Sequence, residues 1–273
     1  MNKTNKIGLN ECHSRLLDIA KHFHAVCEKN EIPYYMVDGT MLGAIRHKGF
    51  IPWDDDMDFA VPRKYYNKLL HALENSTYRP YRVISSKNSN YPLSYIKIED
   101  TSTWIDDPRR KGKDNLKIGI NIDIFPLDDC SLNPSKVKPY IRKKKINSII
   151  IVALFLSFLT DSWKTRIIQK LAKLIYGSKD IAYWLNCEKS LVEAVNKTGD
   201  EAFINLSSIY GERDIINKRY YGIPKLYDFE DTSFYGVDNY DVILRKIYGA
   251  YMKLPPENER FSHSIDIYEI DNF

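Results

Sequence analysis

The sequence predicts an α/β (α+β) fold, in which a mixed sheet core is flanked by helices and joined to a mostly helical insertion and a C-terminal part. Two observations support this prediction. In the first half, segments with helical periodicity alternate with short runs of β-branched and aromatic residues. After Pro134 the periodicity becomes mostly helical up to residue 197. A chain of 273 residues is long enough for one catalytic core with an appended helical part.

Each predicted element has its own local signal. Apolar residues at helical spacing behind a cap at Asn10 predict the opening helix, and Pro33 breaks the pattern. Short apolar runs bounded by proline, glycine or aspartate predict the strands. The predicted helices are residues 9–30, 41–46, 63–74, 136–159, 163–176, 183–197 and 240–251. The predicted strands are residues 34–37, 57–61, 81–85, 93–99, 103–105, 118–125 and 203–207.

The predicted elements divide the chain into three regions. Residues 1–133 form the expected catalytic core, residues 134–200 a helical insertion, and residues 201–273 a C-terminal part that packs on the core. The net charge of +4, from 40 basic and 36 acidic residues, is too balanced to indicate nucleic-acid binding. The four cysteines form no CxxC pair, and the N-terminus lacks the apolar region of a secretory signal. We therefore expect a cytoplasmic protein.

A run of acidic residues marks the candidate site. Residues two apart in a strand face the same side, so Asp56 and Asp58 are expected to present their carboxylates together. Carboxylate oxygens suit Mg²⁺ or Mn²⁺, which in turn bind phosphate oxygens. Asp123, flanked by Ile122 and Ile124, is the candidate third acid on a neighbouring strand, because a buried carboxylate needs a metal or a hydrogen-bond network.

Other residues near this run have more than one interpretation. Gly39 and Thr40 begin a helical turn whose backbone amides can hold a phosphate. The acidic run taken alone also fits a solvated loop or a weak calcium-binding turn. His47 fits loop packing better than catalysis, although an anion contact is open to it. Trp53 fits either the core or a stacking contact with a base or a cation.

Three segments carry a family resemblance. Residues 37–58 read VDGTMLGAIRHKGFIPWDDDMD, residues 120–127 read INIDIFPL, and a distal block begins with YYGIPKLY at residue 220 and continues through residues 248–256. Together they resemble the LicD family, whose members are similar to nucleotidyltransferase-fold enzymes. The resemblance implies a metal-dependent phosphotransferase of the CDP-choline type. Such an enzyme moves phosphocholine or a related phosphoalditol from a CDP-activated donor to a hydroxyl of a bacterial surface glycan, as in teichoic acid, capsule or lipopolysaccharide.

The resemblance also implies roles for single residues. Asp56 and Asp58 match the metal-binding pair, and Asp123 matches a third acid that shares the metal or helps to deprotonate the acceptor hydroxyl. The implied cofactor is Mg²⁺ or Mn²⁺. The candidate donor-phosphate-binding residues are Gly39, Thr40, Arg46 and Lys48. Of these, Arg46 and Lys48 rest on charge alone and also fit exposed loop positions. A choline group would favour an aromatic cage, for which the chain has 20 tyrosines.

A basic stretch before residue 146 leads into an apolar segment, residues 146–159. This segment is shorter than the roughly 20 residues that span a bilayer. It fits a core helix, or a helix lying on an anionic membrane surface. The expected partners are a CDP-linked donor and a sugar or lipid-linked glycan acceptor, and a lipid-linked acceptor favours peripheral contact with the inner face of the bacterial cell membrane.

Two other functions fit the same residues. A true nucleotidyltransferase would transfer the nucleoside monophosphate itself, using the same carboxylates. An inactive, membrane-docked scaffold would keep the fold without needing the acids. The transferred group (choline, glycerol, ribitol or another), the acceptor glycan, the number of metals and the oligomeric state are left open by the sequence.

Overall fold

The structure, a computed structural model, describes residues 3–76, 80–87, 92, 94–107, 117–155, 163–260 and 266–270. It confirms the predicted α/β class. The helices are α1 Leu9–Lys29, α2 Asp38–Arg46, α3 Arg63–Asn75, α4 Pro134–Phe155, α5 Trp163–Tyr176, α6 Ile181–Asn196, α7 Lys218–Tyr221 and α8 Tyr240–Tyr248. The strands are β1 Lys3–Lys6, β2 Tyr35–Met36, β3 Asp58–Pro62, β4 Tyr81–Ile84, β5 Ile96–Asp100, β6 Thr103–Ile105, β7 Asn121–Cys130, β8 Ala202–Ile204, β9 Ile216–Asn217, β10 Lys225–Phe229, β11 Thr232–Gly236 and β12 Ile267–Ile270.

The main sheet is mixed and runs in the order β10–β11–β2–β3–β7–β5–β4. Strand β7 pairs in parallel with β3 and antiparallel with β5, and β8 extends the sheet from the far end of β7. Strands β8 to β11 therefore bring the C-terminal part of the chain into the same sheet as the N-terminal part. A second sheet of three strands joins β1, β12 and β6.

The core lies between the main sheet and two helices. Helix α1 contacts β5 and β7, while α3 contacts β3 and β7. Phe23 of α1 is fully buried, and its ring centroid lies 4.9 Å from that of Phe59 on β3. Because side chains alternate across a strand, the neighbours of Phe59 face the other side of the sheet. The candidate acid Asp58 is one of these neighbours.

Two predicted strand boundaries near the site are wrong. The strand predicted for residues 57–61 begins at Asp58, so Asp56 lies in the preceding loop and not on the strand. The strand predicted for residues 118–125 is Asn121–Cys130. The strand begins later than predicted because the amide of Gly119 donates to the Glu99 carboxylate at 2.8 Å and so does not pair with a neighbouring strand. The predicted strand 93–99 begins at Ile96, and residue 93 lies outside the described residues.

Several strands had no prediction because their signals are weak. Strand β1 is polar and is held by pairing with β12, from the opposite end of the chain. Strands β10 and β11 form an antiparallel hairpin joined to the sheet through β2. Such elements are stabilised by distant partners more than by local propensity.

The helical region from α4 to α6 packs around a buried ion pair. Lys144 Nζ lies 2.6 Å from Glu188 Oε1, and the Asn147 amide donates to the same oxygen at 3.1 Å. Ile151 of α4 is buried, whereas Ile146 is 58% exposed. The predicted apolar segment 146–159 is therefore packed on one face up to Phe155, and residues 156–159 lie outside the described residues. In the ranges the structure covers, no helix has the length and hydropathy needed to cross a membrane.

Candidate active site

Three charged residues form a row across the middle of the main sheet. Asp58 on β3 is paired in register with Asp123 on β7, and Asp123 is paired in register with Lys97 on β5. Residues paired across strands share one face of a sheet. The Lys97 ammonium forms an ion pair with the Asp123 carboxylate and donates to the Asn121 side chain at 2.9 Å. The structure thus brings the predicted acids Asp58 and Asp123 together and adds a buried lysine.

The start of α2 fixes the position of Asp58. The Asp58 amide donates to the Thr40 hydroxyl at 2.7 Å, and its carbonyl accepts from the Val37 amide at 3.1 Å. On the other side, the Asp123 amide donates to the Met57 carbonyl at 2.9 Å. Buried Thr40 therefore holds the strand end that carries the carboxylate.

Asp38 adds a further carboxylate to the site, and Gly39 allows the Asp54 side chain to lie close to the backbone. Asp38, the first residue of α2, has a left-handed φ of 48°, which is uncommon outside glycine, asparagine and aspartate. A Cβ atom on Gly39 would lie 2.8 Å from the Asp54 Oδ2 atom, so a side chain there would push Asp54 away. The Asp54 carbonyl accepts a bond of 2.6 Å from His13 Nε2, which fixes this loop on α1. The Asp54 carboxylate occupies the space in front of Gly39.

The carboxylates in this region repel one another. Burial raises the pKa of Asp58 well above its usual range, and the charges of Asp56, Asp38 and Asp123 raise it further. Burial also raises the pKa of Asp38 to about 8, with additional contributions from Asp214 and Asp56. Charged side chains held in this way favour a cation between them.

The donor chemistry of these side chains fits a divalent cation, because carboxylate oxygens are the ligands that Mg²⁺ and Mn²⁺ prefer. Asp56 and Asp58 supply such oxygens, and burial together with the neighbouring acids disfavours the charged form of Asp58 in the absence of a cation. Asp123 is held by Lys97. In the part of the chain that the structure describes, no three His, Cys, Asp or Glu side chains are grouped to hold a metal ion. The carboxylates are therefore neighbours rather than a preformed cage.

The C-terminal part faces this cluster with two tyrosines and an acid. The hydroxyls of Tyr210 and Tyr248 lie 2.9 Å apart. Burial raises the pKa of Tyr248, and the Asp38 and Asp58 charges raise it further. The pKa of Tyr210 is raised to about 12, also mainly by burial. Asp214 is 5% exposed, and burial raises its pKa to about 6, although bonds from Ser208 and the Asn205 backbone lower it.

A cavity lies between the two parts of this site. Asp38 and Asp214 line it together with Asn205, and its remaining lining is mostly apolar. Its walls come from residues of α2 and β2 on one side and of the C-terminal part on the other. The site is thus completed by segments far apart in the sequence.

The other predicted phosphate-binding residues lie at the end of α2. Arg46 donates to the Tyr251 carbonyl at 2.8 Å and to His47 Nε2 at 2.9 Å. Burial lowers the pKa of Arg46, and the positive charge of Arg260 lowers it further. Two neighbouring cations of this kind favour an anion. Lys48 is exposed, and its carbonyl accepts from the Glu230 amide at 2.8 Å beside the β10–β11 hairpin.

The two ambiguous aromatic residues pack together near Arg46. The rings of His47 and Trp53 meet edge to face with centroids 6.1 Å apart. Burial lowers the pKa of His47, and the charge of Arg46 adds to this effect. Trp53 packs against the core, and the Arg260 guanidinium lies over its ring at 5.2 Å. These contacts favour loop packing for His47 and a cation contact for Trp53.

Comparison with known proteins identifies the family of this chain. The family described as LicD/FKTN/FKRP, nucleotidyltransferase domain, matches residues 31–132, which contain β2 to β7 and the predicted acids. The chain is also 30% identical over 266 residues to the lipopolysaccharide cholinephosphotransferase LicD of Haemophilus influenzae, covering 95% of this chain and 97% of that protein. The chain belongs to the LicD family. The predicted family membership is thereby confirmed.

Two shorter matches involve uncharacterized proteins of Rickettsia. The protein from Rickettsia typhi is 36% identical over 67 residues, which cover 23% of this LicD-family chain and 22% of that protein. The protein from Rickettsia prowazekii is 46% identical over 46 residues, which cover 17% of each. These matches are local, whereas the Haemophilus relative matches nearly end to end.

Several residues near the site were absent from the sequence-based prediction. Lys97 was overlooked because a lysine inside a strand pattern reads as solvent-facing, although it is 7% exposed here. Asp38 had a visible signal, since it lies in the VDGT turn beside Gly39. Asp214 and Tyr210 carry no local signal, because only the fold brings them to the carboxylates. Tyr248 lies in the distal block of the family resemblance, but that motif gave it no role at the site.

Proposed function

We propose that this LicD-family protein transfers phosphocholine, or a related phosphoalditol, from a CDP-activated donor to a hydroxyl of a cell-surface glycan. The observation that carries the proposal is the side-by-side placement of Asp58 and Asp123 on adjacent parallel strands. It occurs in a chain that matches a lipopolysaccharide cholinephosphotransferase over nearly its whole length. Lipopolysaccharide is the first acceptor class to test, followed by teichoic acid and capsule.

Asp56 and Asp58 are the residues proposed to hold Mg²⁺ or Mn²⁺. Magnesium is usually bound by one or two carboxylates together with substrate phosphates, so a preformed cage of three acids is not required. When bound, the cation neutralises the donor pyrophosphate and stabilises the leaving cytidine monophosphate. Thr40 holds the strand end that presents Asp58, through the bond to the Asp58 amide.

Asp123 is proposed to orient and deprotonate the acceptor hydroxyl. The hydroxyl oxygen forms a bond to the phosphorus that carries choline, and the bond from that phosphorus to the bridging oxygen breaks. Cytidine monophosphate leaves with the electron pair, and the acceptor proton passes to the Asp123 carboxylate. The ion pair with Lys97 holds this carboxylate in place along the row.

Donor binding is assigned to the end of α2. Arg46 lies next to Arg260, and this pair of guanidinium groups offers forked donors for phosphate oxygens. Lys48, exposed on the adjacent loop, adds a cation at the rim. Gly39 admits the Asp54 carboxylate close to the backbone, so its proposed role becomes allowing this packing as well as exposing amides. Tyr210 and Tyr248 are candidates for contact with a choline cation.

The test is release of cytidine monophosphate from a panel of CDP-linked donors, with Mg²⁺ and a crude surface-glycan acceptor. We expect acceptor-dependent release from one donor. Asp58→Asn should reduce the rate at least a hundredfold, because one metal ligand loses its charge. Asp200→Asn makes the same chemical change at an exposed acid outside the site and should keep the rate.

Three outcomes would contradict the proposal. Nucleotide attached to the acceptor would identify a nucleotidyltransferase, an activity that the description of the matched domain also favours. Equal rates for wild type and Asp58→Asn would exclude the carboxylate row as the catalytic centre, and no turnover with any donor would favour the scaffold. The proposed location is cytoplasmic and peripheral at the inner face of the cell membrane, where a lipid-linked acceptor would be available.

A further inference from the structure

Helix α5 exposes an unusual amount of apolar surface. Its buried contact is made through Ala172, which is 8% exposed, and it packs against α4. Six large apolar side chains of the same helix are each at least 45% exposed. They are Trp163 (67% exposed), Ile167 (45%), Ile168 (50%), Leu171 (50%), Leu174 (82%) and Ile175 (62%). A contiguous apolar patch of this kind on a protein surface marks an interaction site.

The exposed apolar residues share one side of α5. At about 100° per residue, the six positions fall within an arc of roughly 140°. Ala172 lies outside that arc, on the side that packs against the protein. The exposed basic residues Arg166, Lys170 and Lys173 lie along one edge of the arc. The helix therefore has three sides: one packed, one apolar and one basic.

The neighbouring helix α4 also exposes apolar residues beside basic ones. On α4, Ile146 is 58% exposed and Ile149 is 45% exposed, and both lie on the same side as the exposed Arg142 and Lys145. The sequence of α5 contains no acidic residue. Both helices therefore expose apolar side chains next to cationic ones.

We infer that α5 is a membrane-binding helix that lies in the plane of an anionic bilayer surface. The apolar arc would enter the boundary between head groups and acyl chains, and the basic edge would meet anionic head groups. With 14 residues, α5 is about 21 Å long, which is too short to cross a hydrocarbon core of about 30 Å. The inference rests on the proposed function in one respect only: a lipid-linked acceptor would be the reason for the protein to bind the membrane.

The charge pattern favours lipid over a second copy of the chain. Pairing α5 with α5 of another copy would bring two rows of cations together, with no acidic residue on either helix to balance them. An anionic lipid surface supplies that balance at every position along the basic edge.

The first experiment measures cosedimentation of the full chain with vesicles of phosphatidylethanolamine and phosphatidylglycerol. Wild type should bind, and the double variant Leu171→Glu, Leu174→Glu should bind about tenfold or more weakly, because two large side chains lose their burial. Ile223→Glu is the matched control. It makes the same kind of change at a residue that is 83% exposed elsewhere, and it should bind like wild type. The variants replace exposed residues, so their thermal unfolding should stay close to that of wild type.

The second experiment separates the basic edge from the apolar arc. Lys170→Gln with Lys173→Gln should reduce binding to the anionic vesicles roughly tenfold or more, since each lysine near such a surface contributes measurably to attraction. The same variant should bind vesicles of pure phosphatidylcholine as wild type does. Raising the salt concentration should reduce wild-type binding to the anionic vesicles in the same direction.

Unchanged vesicle binding by the Leu171, Leu174 variant would overturn the inference. The inference would also be overturned if wild type does not bind vesicles but forms a dimer in solution, and the same variant is monomeric. In that case α5 would be the interface between two copies of the chain. Vesicle binding needs no substrate, so its result is independent of the donor panel. Binding lost in the variant without any turnover in wild type would support α5 and refute the transferase. Turnover in wild type, together with unchanged vesicle binding by the variant, would support the transferase and refute the membrane role of α5.

Discussion

Two carboxylates, Asp58 and Asp123, carry most of the chemistry proposed for this protein. Asp58 and Asp123 face each other across β3 and β7, but their surroundings differ. Asp123 has the Lys97 ammonium beside it, whereas Asp58 is surrounded by other acids that raise its pKa. This difference gives Asp123 a fixed orientation, whereas a cation beside Asp58 would offset the charges of the acids that surround it.

Asp214 gives the first prediction at the residue scale. Its folded pKa of about 6 lies above its usual value of 3.8, so the folded state keeps a proton that the unfolded state releases between those values. The stabilisation is complete below about pH 4 and is lost as the pH rises through 6. Relative to Asp214→Asn, the wild-type free energy of unfolding should therefore fall by about 2–3 kcal/mol between pH 4 and pH 7.

Urea unfolding of the two proteins at several pH values measures this difference. Ser208→Ala provides a second check, because the bond from Ser208 lowers the Asp214 pKa and its loss should move the transition to higher pH. A constant difference between wild type and Asp214→Asn across the range would contradict the assignment.

At the scale of elements, the helical insertion is fixed by a buried ion pair. Lys144 on α4 and Glu188 on α6 are both less than a tenth exposed, and the Glu188 Oε2 atom has no hydrogen-bond partner. A buried ion pair adds little net stability, but removal of one partner leaves the other charge buried and unpaired. The pair therefore specifies how α4 and α6 align.

This arrangement predicts different outcomes for adjacent lysines. Lys144→Met should lower the free energy of unfolding by about 3–5 kcal/mol, because Glu188 is left without its cation. Lys145→Met makes the same change at an exposed neighbour and should alter stability by less than about 0.5 kcal/mol. Chemical denaturation of both variants tests this. Adding Glu188→Leu to Lys144→Met should recover part of the lost free energy of unfolding. A further loss would show that the unpaired Glu188 charge is not the cause of the destabilisation.

At the scale of the whole molecule, the carboxylate cluster joins the N-terminal core to the C-terminal part. Asp38 and Asp58 come from the first segment, and their charges reach Tyr210 and Tyr248 from the last. A cation bound in this cluster would therefore stabilise the assembled protein and not one loop alone.

Metal binding should be visible without substrate. Mg²⁺ is expected to raise the melting temperature of wild type and to leave that of Asp58→Asn nearly unchanged. In the absence of metal, Asp58→Asn should melt higher than wild type at pH 8, because it removes a carboxylate whose ionisation is disfavoured in the folded state. Differential scanning calorimetry with and without chelator measures both effects. Equal Mg²⁺ shifts in the two proteins would exclude Asp58 as a ligand.

The sequence by itself determined the α/β class and most helices, because these depend on local periodicity, and it named the three candidate acids from short motifs. Helix α5 was predicted with its observed bounds, yet the membrane interpretation was attached to residues 146–159. Hydropathy along a chain reports how apolar a segment is, but only packing decides which apolar face stays exposed. The tertiary structure buries part of α4 and leaves α5 uncovered.

The same reason explains the site. Asp56, Asp58 and Asp123 could be named because strand periodicity and a family motif mark them. Lys97, Asp214 and Tyr210 could not be named, and Tyr248 was marked only by the distal motif, because their approach to the site depends on strand register and on the return of the C-terminal part to the sheet. Local patterns determine which residues can act, whereas long-range pairing decides which of them meet.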